Sequence, residues 1–214
     1  MIEDVLQELI VRYPALADNY DDIYNAFDLI CQCYDDGGKL LLCGNGGSAA
    51  DCAHVTGELM KGFLLRRSLT EEQAALFDEI DASIPTQLQN GLAAIDLTSQ
   101  ASLLTAFAND VDSETVFAQQ VWSYAQNSAD LLLCFSTSGN SVNVVRAVQT
   151  AKALGRAAIA VTGADGGMLL DLCDVCIRLP ETETYKVQEL TIPVYHALCA
   201  AVESYYFELE YKGE

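Results

Sequence analysis

The chain has 214 residues, 51% of them hydrophobic, and a formal net charge of −20 at pH 7. This hydrophobic content excludes an intrinsically disordered chain, and the length suits a single α/β domain with a well-buried core. The large negative charge argues against nucleic acid or an anionic membrane surface as a direct partner.

In the first part of the chain, helical patterns surround one buried strand. Helices are predicted over residues 2–13, 20–36 and 48–61, and a strand over residues 39–43. The first two helices form an N-terminal helical extension, about residues 1–37, ahead of the sheet. The chain has four prolines and no low-complexity run, so we expect one domain over residues 1–214.

Beyond residue 61 the pattern is first irregular, and then strands alternate with helices. Residues 62–89 are only partly helical, with a helix start at Thr70. Later strands are predicted over 93–97, 131–135, 157–162 and 175–179, and later helices over 99–109, 113–127, 142–154, 168–172 and 185–211. Pro193 should kink the last helix. The alternation predicts an α/β fold, a three-layer doubly wound parallel sheet with helices on both faces.

A glycine-rich loop joins the first strand to the helix that follows it. Its sequence is Gly44-Asn45-Gly46-Gly47-Ser48. Glycines allow close backbone approach, and the free amides of a helix's first turn attract an anion or the hydroxyls of a polar ligand. The pattern is neither G-x-G-x-x-G nor a Walker loop, so it does not imply a dinucleotide or a nucleoside triphosphate.

A second loop, rich in hydroxyl groups, follows the strand at 131–135. It reads Ser136-Thr137-Ser138-Gly139-Asn140-Ser141, and a helix begins directly after it. Four hydroxyls beside a helix N-terminus can bind a phosphate, whereas an ordinary N-cap needs only one. Both loops lie at carboxyl ends of strands, where α/β sheets bind ligands. In so acidic a chain, we expect the basic residues Lys61, Arg66 and Arg67 to offset repulsion of a phosphorylated ligand.

Both histidines of the chain belong to suggestive pairs. His54 and Glu58 are four residues apart and share a helix face, and Gln188 and His196 are eight apart on the last helix. These side chains could converge on one metal ion, or they could supply the acid and base of a proton transfer. Each pair taken alone is equally compatible with satisfied core residues.

The eight cysteines are interpreted as reduced core thiols. Several lie in apolar runs, where a free cysteine behaves as a small hydrophobic residue. The spacing of Cys173 and Cys176 resembles a metal site, but no second pair of this kind faces it. The acidic start of the chain and the absence of a long apolar run predict a cytoplasmic protein.

In combination, these motifs resemble the sugar isomerase (SIS) family, and more closely its phosphoheptose isomerase branch. The resemblance spans nearly the whole chain. It implies an SIS fold and the conversion of sedoheptulose 7-phosphate into D-glycero-D-manno-heptose 7-phosphate. The segments that carry the resemblance are 43–49, His54 with Glu58, Asn109-Asp110, 136–141, 154–156, 161–163, 165–167 and Gln188-Glu189.

The resemblance also implies a role for each matching residue. Glu58 and His196 would be the proton-transfer pair, with Glu58 taking the carbon-bound proton. The implied zinc ligands are His54, Glu58, Gln188 and His196. The implied substrate contacts are Asn45, Gly46, Gly47, Ser48, Glu58, Asn109, Asp110, Ser136, Thr137, Ser138, Ser141 and Gln188. The family further implies a homotetramer whose sites are shared between subunits.

The chain departs from the family pattern in two places. The segment after Arg67 is longer, and Thr191 stands where the final helix of the family carries a further histidine. Two other functions stay open: a non-catalytic SIS protein that binds a partner of the replication-initiator type, and a sensor that binds a sugar phosphate without turnover. The presence of both Glu58 and His196 favours the isomerase.

Overall fold

The computed structural model describes residues 2–211, with side chains described up to residue 207. Within that range five strands form one sheet in the order β2-β1-β3-β4-β5, and every neighbouring pair is parallel. The strands are β1 Leu40–Gly44, β2 Ala94–Asp96, β3 Leu131–Ser136, β4 Ala157–Thr162 and β5 Val175–Arg178. All five strands predicted from the sequence are confirmed to within two residues at each end.

Helices connect these strands. They are α1 Ile2–Arg12, α2 Tyr20–Asp35, α3 Gly47–Met60, α4 Glu71–Ala75, α5 Ala101–Phe107, α6 Val116–Tyr124, α7 Val142–Ala153, α8 Leu169–Leu172 and α9 Thr184–Tyr211. The sequence pattern missed two irregular turns. A 3-10 helix at Pro14–Asn19 begins on a proline, and a π-helical turn at Ala108–Asp112 ends the helix predicted over 99–109.

The sheet is covered on both faces. Alternate residues of β1 point to opposite sides, so that Leu40 and Leu42 join one core cluster while Leu41 and Cys43 join another. The first cluster includes side chains of α1, α2, α3 and α9, and the second includes side chains of α6 and α7. This arrangement confirms the predicted three-layer α/β fold. The N-terminal helices α1 and α2 are part of the core, since Leu6 and Phe27 are buried in the same cluster as Leu40.

The cysteines are part of this packing. All eight have free thiols and seven are buried, while Cys173 is partly exposed. Burial, followed by the nearby Asp35 and Asp28 carboxylates, raises the pKa of the Cys31 thiol to about 12. Among the helices within residues 2–211, none is long and apolar enough to cross a membrane.

A buried ion pair ties the segment after α3 to the last helix. Arg67 Nε donates to Glu203 Oε1 over 2.8 Å, and both side chains are almost fully buried. The Glu203 carboxylate also accepts the backbone N–H groups of Phe63, Leu64 and Leu65. Arg67 is therefore unavailable to a ligand, so the expectation that it helps to attract a phosphate is wrong.

Replacement of Arg67 by Met should lower the free energy of unfolding by about 3–5 kcal/mol, because Glu203 keeps its charge inside the protein without its cation. Urea denaturation followed by circular dichroism measures this change. Arg66 is the matched control, because its side chain is exposed and makes one long hydrogen bond to the Thr86 carbonyl. A loss for Arg67→Met no larger than that for Arg66→Met would contradict the assigned role.

Candidate active site

Helices α3 and α9 bring the two histidines together. His54 on α3 and His196 on α9 have their Nε2 atoms 3.5 Å apart. On the same face of α3, Glu58 Oε1 lies 3.2 Å from His54 Nε2, as the spacing of four residues predicts. Three of the four implied metal ligands, including the implied proton-transfer pair, therefore share one site.

Lys61 is a further member of this site. Its Nζ donates to Glu58 Oε2 over 2.8 Å. Partial burial acts to raise the pKa of Glu58, but the hydrogen bond and charge of Lys61, together with His54, outweigh it and lower the pKa below its ordinary value. Glu58 is thus ionised at neutral pH and can act as a base. From its sequence, Lys61 was expected only to help attract a phosphorylated ligand. Its spacing of three from Glu58 is the signal that indicates this contact.

The pKa of His196 is lowered as well, so both groups favour their deprotonated forms. Burial, followed by the proximity of His54, lowers its pKa, and the Glu58 carboxylate only partly offsets this. The imidazole of His196 is therefore neutral at neutral pH. The Phe63 ring packs against it with a centroid distance of 5.6 Å. The backbone N–H of Phe63 donates to the Glu203 carboxylate. The buried ion pair thus supports the position of His196.

Two residues that the sequence analysis did not single out lie behind His54. The Tyr195 hydroxyl is 2.9 Å from His54 Nδ1, and the Asp51 carboxyl group lies close enough for each to influence the pKa of the other. Asp51 is buried, and burial raises its pKa despite the opposing effects of Tyr195 and His54. Burial and the neighbouring Asp51 raise the pKa of Tyr195 well above its usual value.

Gln188 lies against the glycine loop. A methyl group added at Gly47 would come within 2.5 Å of Gln188 Nε2, so the loop can lie this close to the carboxamide only because residue 47 is glycine. Gly46 adopts a positive φ of 58°, which allows the chain to turn from β1 into α3. The loop and α9 thus form one wall of the site.

The glycine loop is also joined to the hydroxyl-rich loop. Because β1 and β3 are neighbours in the sheet, with Gly44 opposite Phe135, the loops that follow them lie side by side. The carboxamides of Asn45 and Asn143 form two reciprocal hydrogen bonds of 2.8 and 2.9 Å. This pair fixes the implied sugar-binding loop to the start of α7.

The hydroxyl-rich loop is ordered by its own hydrogen bonds. Ser136 Oγ donates to Ser141 Oγ over 3.1 Å, and Ser138 Oγ accepts the backbone N–H of Asn140. Asn140 in turn accepts the N–H of Met168. Ser141 directly precedes α7, so these hydroxyls, with Thr137 beside them, surround a helix N-terminus that suits an anion.

The remaining implied site residues are placed elsewhere. Asn109 and Asp110 are exposed on the π-helical turn, where the Asn109 carboxamide donates to Asp110 over 2.7 Å. No contact described within residues 2–207 joins them to the histidines or to either loop. Thr191 is buried and donates to the Val187 carbonyl within its own helix, so it does not replace the missing histidine in the site.

The donor set suits zinc in its chemistry. Two ligand atoms on a tetrahedral zinc ion lie roughly 3.3 Å apart, which is close to the distances from His54 Nε2 to His196 Nε2 and to Glu58 Oε1. In this structure, however, Glu58 also accepts a hydrogen bond from Lys61. Gln188 lies against Gly47. Within the described part of the chain, no three His, Cys, Asp or Glu side chains are arranged to hold a metal ion.

A parallel sheet, a glycine-rich and a hydroxyl-rich loop at neighbouring strand ends, and a cluster of His54, Glu58 and His196 on α3 and α9 are features of an SIS-type fold. Residues 11–95 and 89–163 match the family described as SIS domain. Phosphoheptose isomerase from Rhodospirillum rubrum is 40% identical over 167 residues, 78% of this chain and 77% of that protein. The Helicobacter pylori (strain P12) phosphoheptose isomerase is 35% identical over 211 residues, 96% of this chain and 98% of that protein.

Solved structures agree with these relatives. Phosphoheptose isomerase GmhA from Neisseria gonorrhoeae superposes with a TM-score of 0.71 at 33% identity, over 92% of this chain and 94% of that one. The Francisella tularensis phosphoheptose isomerase superposes with a TM-score of 0.71 at 30% identity, over 94% of each chain. The chain therefore belongs to the phosphoheptose isomerase family of SIS-domain proteins.

Proposed function

We propose that the protein isomerises sedoheptulose 7-phosphate to D-glycero-D-manno-heptose 7-phosphate. The observation that carries this proposal is that an ionised Glu58 and a neutral His196 both contact His54, in a chain that also has a hydroxyl-rich loop at a helix N-terminus. Phosphoheptose isomerases among the relatives, similar over nearly the full length, support the same reaction class.

A charged carboxylate beside a neutral imidazole suits this reaction. Interconversion of a ketose and an aldose moves a proton between adjacent carbons through an enediol, which needs a base at carbon and a proton donor and acceptor at oxygen. An ionised Glu58 removes the carbon-bound proton. A neutral His196 carries one ring N–H to give and one ring nitrogen to receive, so it serves the oxygen or the opening of the sugar ring.

The two loops would hold the rest of the substrate. Ser136, Thr137, Ser138 and Ser141 would bind the phosphate with the N-terminus of α7, and Asn45, Gly46, Gly47 and Ser48 would contact the sugar with Gln188. Hydroxyl and amide donors bind phosphoryl oxygens without a cationic side chain. The two non-catalytic alternatives are less favoured, because neither partner binding nor sensing needs an acid/base pair.

The replacement of Glu58 by Gln should reduce kcat at least about 100-fold, the contribution expected of a general base. Binding of inorganic phosphate, followed as a rise in melting temperature, should persist because the hydroxyl-rich loop is intact. A coupled assay with sedoheptulose 7-phosphate measures turnover. Glu183→Gln, an exposed residue paired with Lys186 on α9, is the control and should leave kcat unchanged. Full activity of Glu58→Gln would show that the base is another group.

We further propose that the protein binds one divalent metal ion, zinc, among His54, Glu58, Gln188 and His196. When bound, such an ion acts as a Lewis acid that polarises the substrate carbonyl. The two histidine nitrogens and the Glu58 oxygen already have spacings that suit it. Lys61 competes for the Glu58 carboxylate, so metal binding requires Lys61 to move away from Oε2.

Protein purified without a chelator should contain about one zinc ion per subunit by elemental analysis. His54→Ala should lose the metal, since the ring that faces both Glu58 and His196 is removed. Cys173→Ser tests whether Cys173 and Cys176 bind the metal instead, and this variant should retain the metal. Two results would rule out this site. One is only trace metal in the wild type, and the other is metal that is lost from Cys173→Ser but retained by His54→Ala.

We propose a homotetramer as the active assembly, with each site completed by a neighbouring subunit. Large apolar side chains are exposed on several helices, among them Val11, Trp122 and Tyr185. Two aromatic residues near the end of α9 are engaged within the chain, since Tyr206 donates to the Cys31 carbonyl and Phe207 packs on Arg67.

Light scattering should give a mass four times the 23.2 kDa of the chain. Apolar contact must outweigh the repulsion of acidic subunits, which is screened beyond about 8 Å at physiological salt, so the tetramer should strengthen as salt is added. The measurement is made at several salt concentrations with activity assayed in parallel. Monomers that retain full activity would exclude a shared site.

We also propose that the enzyme acts in the cytoplasm, where thiols stay reduced. The eight free cysteines, most of them packed in the core, support this proposal, because such a set would be exposed to pairing in an oxidising compartment during folding.

A further inference from the structure

Arg146 on α7 bridges two carboxylates at the end of the π-helical turn. Its Nη1 atom lies 2.7 Å from Asp112 Oδ2, and its Nη2 atom lies 2.9 Å from Glu114 Oε2. Asp112 is the last residue of the turn, and its other carboxylate oxygen accepts the backbone N–H of Glu114 over 2.9 Å. One guanidinium therefore holds this segment at two points, and the segment is also ordered by its own hydrogen bond.

This contact is better suited to fixing geometry than to stabilising the fold. A single ion pair at the surface adds little stability, and the Arg146 side chain is 37% exposed. A guanidinium, however, is a rigid planar fork that contacts two carboxylates at defined angles. The sequence has no Lys or Arg between Arg67 and Arg146, so the acidic turn carries no cation of its own. We therefore expect Arg146 to determine where the turn lies.

Arg146 is on the side of α7 that also contacts the glycine loop. Asn143, which pairs with Asn45, comes three residues before it, and residues three apart share one face of a helix. They are separated by roughly 4.5 Å along the helix axis, at 1.5 Å per residue. The hydroxyl-rich loop ends at Ser141, directly before α7. The first turns of α7 thus connect the π-helical turn to both loops of the candidate site.

The π-helical turn carries groups that can bind a sugar. Asn109 and Asp110 are exposed on it, and the Asn109 carboxamide donates to Asp110 Oδ1. A carboxamide beside a carboxylate offers both donors and acceptors, as the hydroxyls of a sugar require. Single π-helical turns are rare and are frequent at functional sites. The segment that Arg146 holds therefore has the chemistry of a contact surface for a polyhydroxyl ligand.

We propose that Arg146 is a positioning residue that holds the π-helical turn against α7, so that Asn109 and Asp110 contact the hydroxyls of the bound sugar. This inference rests on the proposed function, because it concerns how the same site binds its substrate. Arg146 acts through the turn and does not itself contact the substrate. Without it, the turn adopts other arrangements, and the affinity for substrate falls with the fraction of molecules in the binding arrangement.

Arg146→Met removes the fork and should raise KM for sedoheptulose 7-phosphate about tenfold, the result when about a tenth of the molecules keep the binding arrangement. The kcat value should change little, because Glu58 and His196 are not altered. The coupled assay on the full chain measures both constants. Lys152→Met is the matched control, since Lys152 lies on the same helix, is equally exposed and binds the Asp174 carboxylate. It should leave KM unchanged.

Two further measurements separate positioning from a general effect on stability. Arg146→Lys keeps the positive charge but not the planar fork, so its KM should lie between those of the wild type and Arg146→Met. Hydrogen–deuterium exchange of the backbone amides of residues 108–115 should become faster in Arg146→Met and stay unchanged in Lys152→Met.

An unchanged KM in Arg146→Met, an equal rise in Lys152→Met, or unchanged exchange over residues 108–115 would overturn the proposal. Calorimetry separates this inference from the proposed function, because binding is measured without turnover. In the Glu58→Gln background, Arg146→Met should weaken the binding of sedoheptulose 7-phosphate about tenfold. A wild type that binds this sugar phosphate without converting it would refute the proposed function, and the calorimetric comparison would then decide this inference.

Discussion

The candidate site depends on the docking of α3 against α9, and the buried Glu203 carboxylate is central to that docking. This carboxylate accepts hydrogen bonds from three backbone N–H groups and from the Arg67 guanidinium. Arg67 also donates to the carbonyls of Leu59 and Glu58 near the end of α3. Terminal helix carbonyls lack partners within their own helix, so this arrangement satisfies groups that burial would otherwise penalise. One interaction network thus fixes the helix of Glu58 and the Phe63 ring that contacts His196.

The strong acidity of the chain limits how its cations can be used. Arg67 is buried with Glu203, and Lys61 is paired with Glu58, so neither is free to act as a simple attractor of phosphate. In the proposed function, a phosphorylated ligand would be bound by neutral donors, the hydroxyls of the 136–141 loop and the amides that begin α7. Such donors act over hydrogen-bond distances, where the repulsion of distant carboxylates is largely screened by salt. A protein with a net charge of −20 can therefore retain a site for a dianion.

The sequence predicted those parts of the structure that are encoded within a short stretch of chain. The strands follow from apolar runs, the two loops from their glycines and hydroxyls, and the contact of His54 with Glu58 from a spacing of four. The contacts that complete the site join residues far apart in sequence, such as Tyr195 with His54 and Arg67 with Glu203. Neither a spacing nor a local pattern encodes them, because they arise only when α9 packs on α3. The π-helical turn at Ala108–Asp112 was missed for a different reason, since a helical pattern does not distinguish its hydrogen bonding from that of an α-helix.

A local contact and the packing of α9 on α3 together explain why Glu58 and His196 both favour their deprotonated forms. Glu58 keeps its charge because Lys61 lies beside it, even though part of its surface is buried. His196 stays neutral because it is partly buried against His54 and Phe63, with the Glu58 charge only partly opposing this effect. An ionised base and a neutral ring need no change of protonation before the first proton is transferred. Each group returns to its starting protonation state when the proton is delivered to the product. The protonation of Glu58 and His196 is therefore set largely by which helix surfaces meet, and in the proposed function the two loops would hold the substrate.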